Sequence, residues 1–448
     1  MNYIFVDNYR GFEQTLVPIT KVNFLVGENS TGKTSILGLL KLLSPHDFWL
    51  RNEFDLRQVG LGTFRDVVSI GAKDKTYFSV GIVFDKPIDE KVRKSKKSKN
   101  KVSESVEKKL SLYAYTMTFI EKEGVPKISS IVSYRNGTEI RIKYVGKTIR
   151  YKYKKIDYKE TAEQFGKTIM KDWINIQKTD TSGYKILKGL NMFLRSSPPI
   201  VILSYIENQI IQDIDLDRSF EISSFINDIA WLAPIRSKPR KTYDEYSLEF
   251  SPEGDHTPYI IKKKLDSKSE SKNFSKFLSK VGKKSGLFKK VQIKNYGRGN
   301  TSPFELDVVL SKEPLSVSSV GYGVSQALPV IVEMFTREKH SWFAIQQPEV
   351  HLHPRAQAAL GELIFDLALA DNKRFIVETH SDYTIDRFRI SCRKSDEKVD
   401  SQILFFERTL NGNKLCSIPI DDEGNISDKQ PNSYREFFLK EEMELLGL

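Results

Sequence analysis

Eight residues near the N-terminus, G-E-N-S-T-G-K-T at 27–34, constrain this chain more than any other feature. The spacing of Gly27, Gly32, Lys33 and Thr34 is that of a phosphate-binding loop. The glycines let the backbone curl until successive N–H groups face a phosphate, and a following helix adds its positive N-terminal end. Both supports are legible: KVNFLV is an apolar strand pattern ending at Gly27, and TSILGLLKLL has helical spacing up to Ser44 and Pro45. In this setting Asn29, Ser30, Thr31 and Ser35 face the phosphates, Lys33 reaches the β- and γ-phosphates of ATP, and Thr34 helps hold Mg2+. Such loops serve kinases, GTPases and many ATPases, so the choice among them falls to the rest of the chain.

The chain has 448 residues, 39% of them hydrophobic, which is enough apolar material for a sizeable core. Its net charge of +12 suits an acidic partner such as DNA and equally suits a lysine-rich solvated surface. Cys392 and Cys416 make no disulfide framework and no CxxC zinc pair. The N-terminus lacks a signal-peptide pattern, and no apolar run approaches the roughly 20 residues of a membrane helix. A cytoplasmic protein without a membrane partner is expected.

Three consecutive parts are expected: an N-terminal lobe at 1–155 with the phosphate loop and a β subdomain, a helical and basic insertion at 156–300, and a C-terminal lobe at 301–448. The opening reads as two strands, YIFVDNY and KVNFLV, joined by a turn at Arg10, Gly11 and Phe12. TYFSVGIVF, LYAYTMTFI, KISSIVSY, TEIRIKYV and KTIRYKY follow as β-rich runs. The Lys/Ser tract at 91–109 between the first two of these is too polar to pack. No heptad pattern persists, which predicts no long coiled coil.

Four features follow one another in the C-terminal part. The segment S-S-V-G-Y-G-V-S-Q at 318–326 opens the helix ALPVIVEMF, so Ser319, Gly321, Gly323, Ser325 and Gln326 form either a second anion site or an ordinary helix start. The strand WFAI runs into Gln346, Gln347, Pro348 and Glu349, the position in which such ATPases place the Mg2+ ligand and the group that activates water. His351 and His353 precede the helix RAQAALGELIFDLAL and have no companion ligands for a metal. The strand RFIVET ends in His380, placed to touch a γ-phosphate or simply to sit at the surface.

Taken together, the chain resembles the RecF/SMC-type ABC ATPases, and more closely the OLD-related AAA15 group. Asn8, Tyr9, Arg10, Gly11 and Phe12 resemble the motif that precedes the phosphate loop, which implies that Arg10 contacts nucleotide. The segment 318–326 resembles the ABC signature, 346–349 sits where the Walker B acids sit, His353 is in the D-loop position and His380 resembles the switch histidine. The resemblance implies an α/β ABC-type head with an antiparallel β subdomain and a helical insertion. It also implies ATP and Mg2+ as cofactors and a site completed when the signature of a second copy closes over the ATP, in a homodimer or higher oligomer. Similar ATPases in the PARIS, Septu and retron-associated defence systems work with a separately encoded nuclease or toxin. The tail at 401–448 carries no acidic nuclease cluster, so any such effector is another chain.

The Walker B stretch departs from the pattern. Where an acid is expected, Gln346 stands, with Gln347 beside it and Glu349 as the only acid of the patch. A glutamine orients water but is no strong base, and it is a poorer Mg2+ ligand than a carboxylate. A Glu→Gln change at this position is also the one made to trap ATP, and the sequence does not say whether Gln346 is native. Slow hydrolysis through Glu349, hydrolysis through a water held by Gln347, and ATP binding without turnover all stay open; slow hydrolysis is expected, with Gln346 and Thr34 at the metal and Glu349, Gln347 and His380 at the reaction.

Positive charge concentrates at 91–109, at 262–290 and at Arg236, Lys238, Arg240 and Lys241. On one face these would bind nucleic-acid backbone non-specifically, which is the basis of a rival reading as a RecF-like DNA-binding repair ATPase. FSKFLSKV within the second tract reads as the apolar face of a helix.

Overall fold

The computed structural model describes residues 2–44, 54, 62–87, 110–135, 137–175, 182–187, 197–210, 229–244, 247–297, 299, 302–428 and 430–445. The tract 91–109 lies outside them. The described chain is mixed α/β, as expected, and forms two compact units that are not consecutive along the sequence. One consists of residues 1–19, 38–227 and 408–415, the other of 20–37, 228–407 and 416–448. The stretch 156–300 is therefore divided between them.

The first unit is built on an antiparallel sheet. Its strands are β1 (Asn2–Asp7) and β2 (Thr15–Ile19), and then, beyond β3 (Val22–Gly27), β4 (Tyr77–Pro87), β5 (Leu110–Lys122), β6 (Val125–Arg135), β7 (Thr138–Val145), β8 (Thr148–Lys155) and β9 (Lys185–Ile186), in the order β2-β1-β4-β5-β6-β7-β8-β9. The five β-rich runs read from the sequence are β4 to β8. The opening holds three strands rather than two, because TLVPI forms β2. Pro18 obscures that strand in the sequence, but a proline is tolerated on an edge, and β2 is the edge of this sheet. One face of the sheet is covered by the helices Ala162–Lys167 and Ile169–Asn175, which bury Phe165, Met170 and Trp173 against Tyr3, Phe5, Val83 and Tyr134. Phe54, Phe64, Phe78 and Phe119 form an aromatic cluster in the same unit, with Phe78 and Phe119 stacked at 5.1 Å.

The second unit is organised by β3, β10 (Ile229–Leu232), β14 (Trp342–Gln346), β15 (Arg374–Glu378), β16 (Ser401–Thr409) and β17 (Gly412–Ile420) in the order β10-β14-β15-β3-β16-β17. The pairings from β10 to β16 are parallel. Parallel strands are buried on both faces, which explains runs such as WFAI and FLV without alternation. The helices Tyr322–Thr336, Pro354–Ala370 and Asp382–Arg393 carry Val330, Ile331, Leu360, Ile364 and Phe388 into the core around Phe24, Phe343 and Phe375. Asn23, wholly buried on β3, is satisfied by Thr20, by the Phe375 carbonyl at 3.2 Å and by the Gln402 amide at 2.7 Å, tying three neighbouring strands together. A small sheet, β11 (Lys290–Asn295), β12 (Phe304–Val309) and β13 (Pro314–Ser316), completes the unit. Among the described residues the longest helix, Pro354–Ala370, has 17 residues, so no long coiled-coil arm is present there.

The lysine-rich stretch 262–290 folds into the helices Thr257–Asp266 and Ser271–Ser285. FSKFLSKV is an apolar helix face as read: Phe274 and Leu278 are buried, and Phe277 stacks on Phe335 at 4.1 Å. Several of its lysines face acids, Lys280 with Asp366 at 3.6 Å and Lys284 with Glu362, while Lys262 is buried and pairs with Asp266 and Asn295. No helix among the described residues is long and apolar enough to cross a membrane.

Candidate functional site

Parallel pairing places the C-terminal ends of β3, β15 and β14 side by side, with Leu25 opposite Glu378 and Glu378 opposite Gln346. Ligands of open α/β sheets bind at this edge, outside the carboxyl ends of the strands. Gly27 ends β3, and its missing side chain is required: a Cβ there would lie 2.0 Å from the Phe406 carbonyl on β16. The loop then curls through positive φ at Ser30 (62°) and Gly32 (97°) before the helix Lys33–Leu43 begins. Asn29, Ser30 and Thr34 are exposed and Ser35 is half-buried, whereas Thr31 is buried and binds the Glu28 carbonyl at 2.8 Å, bracing the loop from within.

Lys33 is buried, its ammonium donating to the carbonyls of Gly27 at 2.7 Å and Glu28 at 2.6 Å. Burial lowers its pKa from the ordinary lysine value, and the charges of Glu378 and Glu28 oppose that. A cation held only by carbonyls beside a helix N-terminus is a ready partner for a polyphosphate.

On β14, Gln346 is buried and donates through Nε2 to Oε2 of Glu378 at 3.1 Å. Gln347 takes φ of 41°, a strained value for a non-glycine residue, and its N–H binds the Glu378 carbonyl at 2.8 Å. Glu349 turns back toward the end of β15, where Oε1 accepts the His380 N–H at 2.7 Å. Its Oε2 is buried with no hydrogen-bond partner among the described residues. Burial raises the Glu349 pKa above the usual carboxylate value, opposed by hydrogen bonds from His380 and Thr379 and by the Arg236 charge. A carboxylate of raised pKa with one unused oxygen has the attributes of a general base. His380 is half-buried, and its pKa is lowered by burial and by Lys33, so the imidazole is neutral near pH 7.

The structure adds two residues to this set. Arg236 stands among Lys238, Arg240 and Lys241 in the sequence, yet it is 3% exposed and does not belong to a basic face. Its Nη2 donates to the Gln346 carbonyl at 3.1 Å, while Nε and Nη1 have no partner among the described residues. Burial lowers its pKa to about 10, with the Glu349 charge opposing. The apolar context LAPIR carried the only hint of this burial. The other addition is Glu378, whose carboxylate oxygens each lie 3.2 Å from the Thr34 hydroxyl. It reads in the sequence as the end of a strand, and only the pairing of β15 with β3 and β14 reveals its neighbours.

In the signature-like segment, Ser319 and Gly321 are exposed and Gly321 caps the helix Tyr322–Thr336. Gly323 is closely packed, since a Cβ there would meet the His351 carbonyl at 2.7 Å. Ser325 binds the Tyr322 carbonyl at 2.9 Å. Gln326 is turned inward: its Oε1 accepts the Arg236 N–H at 3.2 Å and its Nε2 donates to the Arg236 carbonyl at 3.3 Å. His351 and His353 are exposed, and among the described residues no group of three or more His, Cys, Asp or Glu is arranged to hold a metal. Arg10 belongs to the first unit, where it takes φ of 49° at the turn before β2 and its N–H binds the Val67 carbonyl at 2.7 Å.

Residues 1–385 match the family model AAA_15, described as an AAA ATPase domain. No curated protein matches. Among solved structures, the chain is similar to an SmcHead bound to the C-winged helix domain of ScpA, at 12% identity over 94% of this chain and 97% of that one, with a TM-score of 0.41. An Smc head domain with an extended coiled coil bound to the C-terminal domain of ScpA, from Pyrococcus furiosus, is 12% identical over 100% and 99% of the two chains with a TM-score of 0.40. The SMC head domain from Thermotoga maritima is 9% identical over 94% and 98%, with a TM-score of 0.35.

Proposed function

This chain belongs to the AAA_15 family of AAA ATPase domains, and we propose from that premise that it binds MgATP at the edge of its parallel sheet and hydrolyses it slowly. The observation that carries the reading is the convergence of Lys33, Thr34, Gln346, Glu349 and His380 at the ends of three adjacent strands. Lys33 and the loop amides receive the β- and γ-phosphates, and Thr34 and its neighbours at the strand ends hold Mg2+, which neutralises phosphate charge when bound. Glu349 takes the proton of the attacking water, and neutral His380 meets the γ-phosphate. Gln347 orients that water. Lacking an acid at Gln346, the site turns over slowly rather than not at all.

Ser319, Gly321 and Gly323, with Ser325 behind them, contact the nucleotide of a second copy, so that ATP is enclosed between two protomers. Exposure of Ser319 and Gly321 at a helix N-terminus supports this. The assembly senses infection and holds or releases a separately encoded nuclease or toxin in bacterial anti-phage defence, as its resemblance to defence ATPases suggests. The RecF-like alternative gains little support, since Arg236 and Lys262 are buried and Lys280 and Lys284 face acids.

The test has two arms. Phosphate release and ATP-dependent dimerisation are measured for the protein, for Lys33→Ala and for Glu349→Gln; activity that survives both substitutions means the site is elsewhere. Co-purification with the product of the neighbouring gene, in each nucleotide state, is expected to yield a nucleotide-sensitive complex, and a complex in none of them sinks the effector role.

A further inference from the structure

Glu378 is an acid buried between two neutral donors. It is 5% exposed, and its carboxylate is met by the Thr34 hydroxyl at 3.2 Å on each oxygen and by the Gln346 amide at 3.1 Å. A buried carboxylate is costly unless a cation or several donors compensate it. Lys33 feels its charge, but the Lys33 ammonium is bound to the carbonyls of Gly27 and Glu28. The position of Glu378 follows from the sheet: β15 lies between β14 and β3, so its last residue stands between Gln346 and the strand that carries the phosphate loop.

We propose that Glu378 is the carboxylate that holds the Mg2+ of MgATP, displaced by one strand from the place where sequence reasoning looks for it. The inference rests on the nucleotide-binding reading above. Mg2+ is bound by one or two carboxylates together with substrate phosphates and water, so a single acid beside the phosphate-loop hydroxyl is a sufficient protein contribution. Thr34 and Glu378 already converge, and the Thr34 hydroxyl oxygen and the Glu378 carboxylate would together hold the cation, which would supply neutralising charge to the phosphates. Gln346 then has a different role from the one its position suggests. Its Nε2 donates to Glu378 Oε2, which fixes the carboxylate, and its neutral amide need not approach the metal. This arrangement also accounts for a Walker B strand that ends without an acid while the site still contains one.

The experiment uses Mn2+ as probe and fluorescent ATP as reporter on the full chain. Nucleotide affinity is titrated with Mn2+ and with EDTA, and bound Mn2+ is followed by electron paramagnetic resonance. Glu378→Gln, which preserves shape and removes the charge, is expected to weaken Mn2+ binding in the ternary complex by about tenfold to a hundredfold, while nucleotide affinity in EDTA is not weakened. Glu378→Asp is expected to keep an intermediate Mn2+ affinity, which a merely structural role would not predict. Gln346→Ala should weaken the metal less than Glu378→Gln does. The inference is overturned if Glu378→Gln binds Mn2+ as tightly as the parent while Gln346→Ala loses it. Lys33→Ala separates the two levels. If that variant retains nucleotide affinity the site reading itself fails; if it loses affinity and Glu378→Gln keeps its Mn2+, only the present assignment fails.

Discussion

The backbone N–H of His380 donates to Oε1 of Glu349 at 2.7 Å, so a residue just beyond the end of β15 orients the acid just beyond the end of β14. One oxygen of Glu349 is fixed by this bond, and the other is buried with no hydrogen-bond partner among the described residues. Replacing Glu349 by Gln keeps an acceptor for the His380 N–H and removes the base. Hydrolysis is expected to fall by roughly a hundredfold to ten-thousandfold, with nucleotide affinity preserved, as measured by phosphate release alongside fluorescent-ATP binding.

The pH dependence follows from the same pair. Burial raises the Glu349 pKa, and as a base the group works only when ionised. Hydrolysis is therefore full above that raised value and declines as pH falls through it, with a midpoint above the ordinary glutamate value of about 4.3. His380 shifts the other way. The folded protein binds fewer protons there than the unfolded chain, so stability is whole above the unfolded value of about 6.5 and is lost as pH drops below it. Thermal melting across pH 5–8 checks this: the decline on acidification should be shallower in His380→Ala.

Arg236 opposes the burial of Glu349 with its charge. Arg236→Met removes that charge in a similar volume. The Glu349 pKa rises further, and the acid limb of the rate profile moves to higher pH. A variant slowed equally at all pH values would assign Arg236 to scaffolding alone. Because the side chain is buried, the substitution should leave any binding to duplex DNA, measured by anisotropy at low salt, unaltered.

Gln326 brackets both backbone groups of Arg236, at 3.2 and 3.3 Å. Gln326→Ala leaves a buried N–H and carbonyl unpaired, which costs about 1–3 kcal/mol. Urea denaturation without nucleotide reads this directly. An unchanged midpoint would show that Gln326 serves the ligand and not the fold.

Two glycines make a contrasting pair. Gly27→Ala puts a methyl group 2.0 Å from the Phe406 carbonyl at φ of 142°, and soluble folded protein is not expected. Gly321 has φ of −59° and open space where a Cβ would stand, so Gly321→Ala should cost no more than about 1 kcal/mol, the loss of a favourable N-cap residue. A loss of ATP-dependent dimerisation in that stable variant, seen by light scattering, is the expected outcome.

The sequence by itself determined the phosphate loop, the strands β3 to β8, the strand ends that carry Gln346 and His380, and the amphipathic helix around Phe274. These rest on local patterns of apolar spacing, glycine placement and turn chemistry, each legible within a dozen residues. It mistook the opening for two strands because Pro18 argues against a strand unless that strand is an edge, and edge status is a property of the whole sheet. The tertiary structure decided what sits beside what. Arg236 reads as one cation in a basic run until the core around β14 encloses it, and Glu378 reads as the polar end of a strand until parallel pairing sets it between Thr34 and Gln346. Both residues owe their chemistry to burial and to neighbours more than thirty positions away, and neither quantity is written in the local sequence.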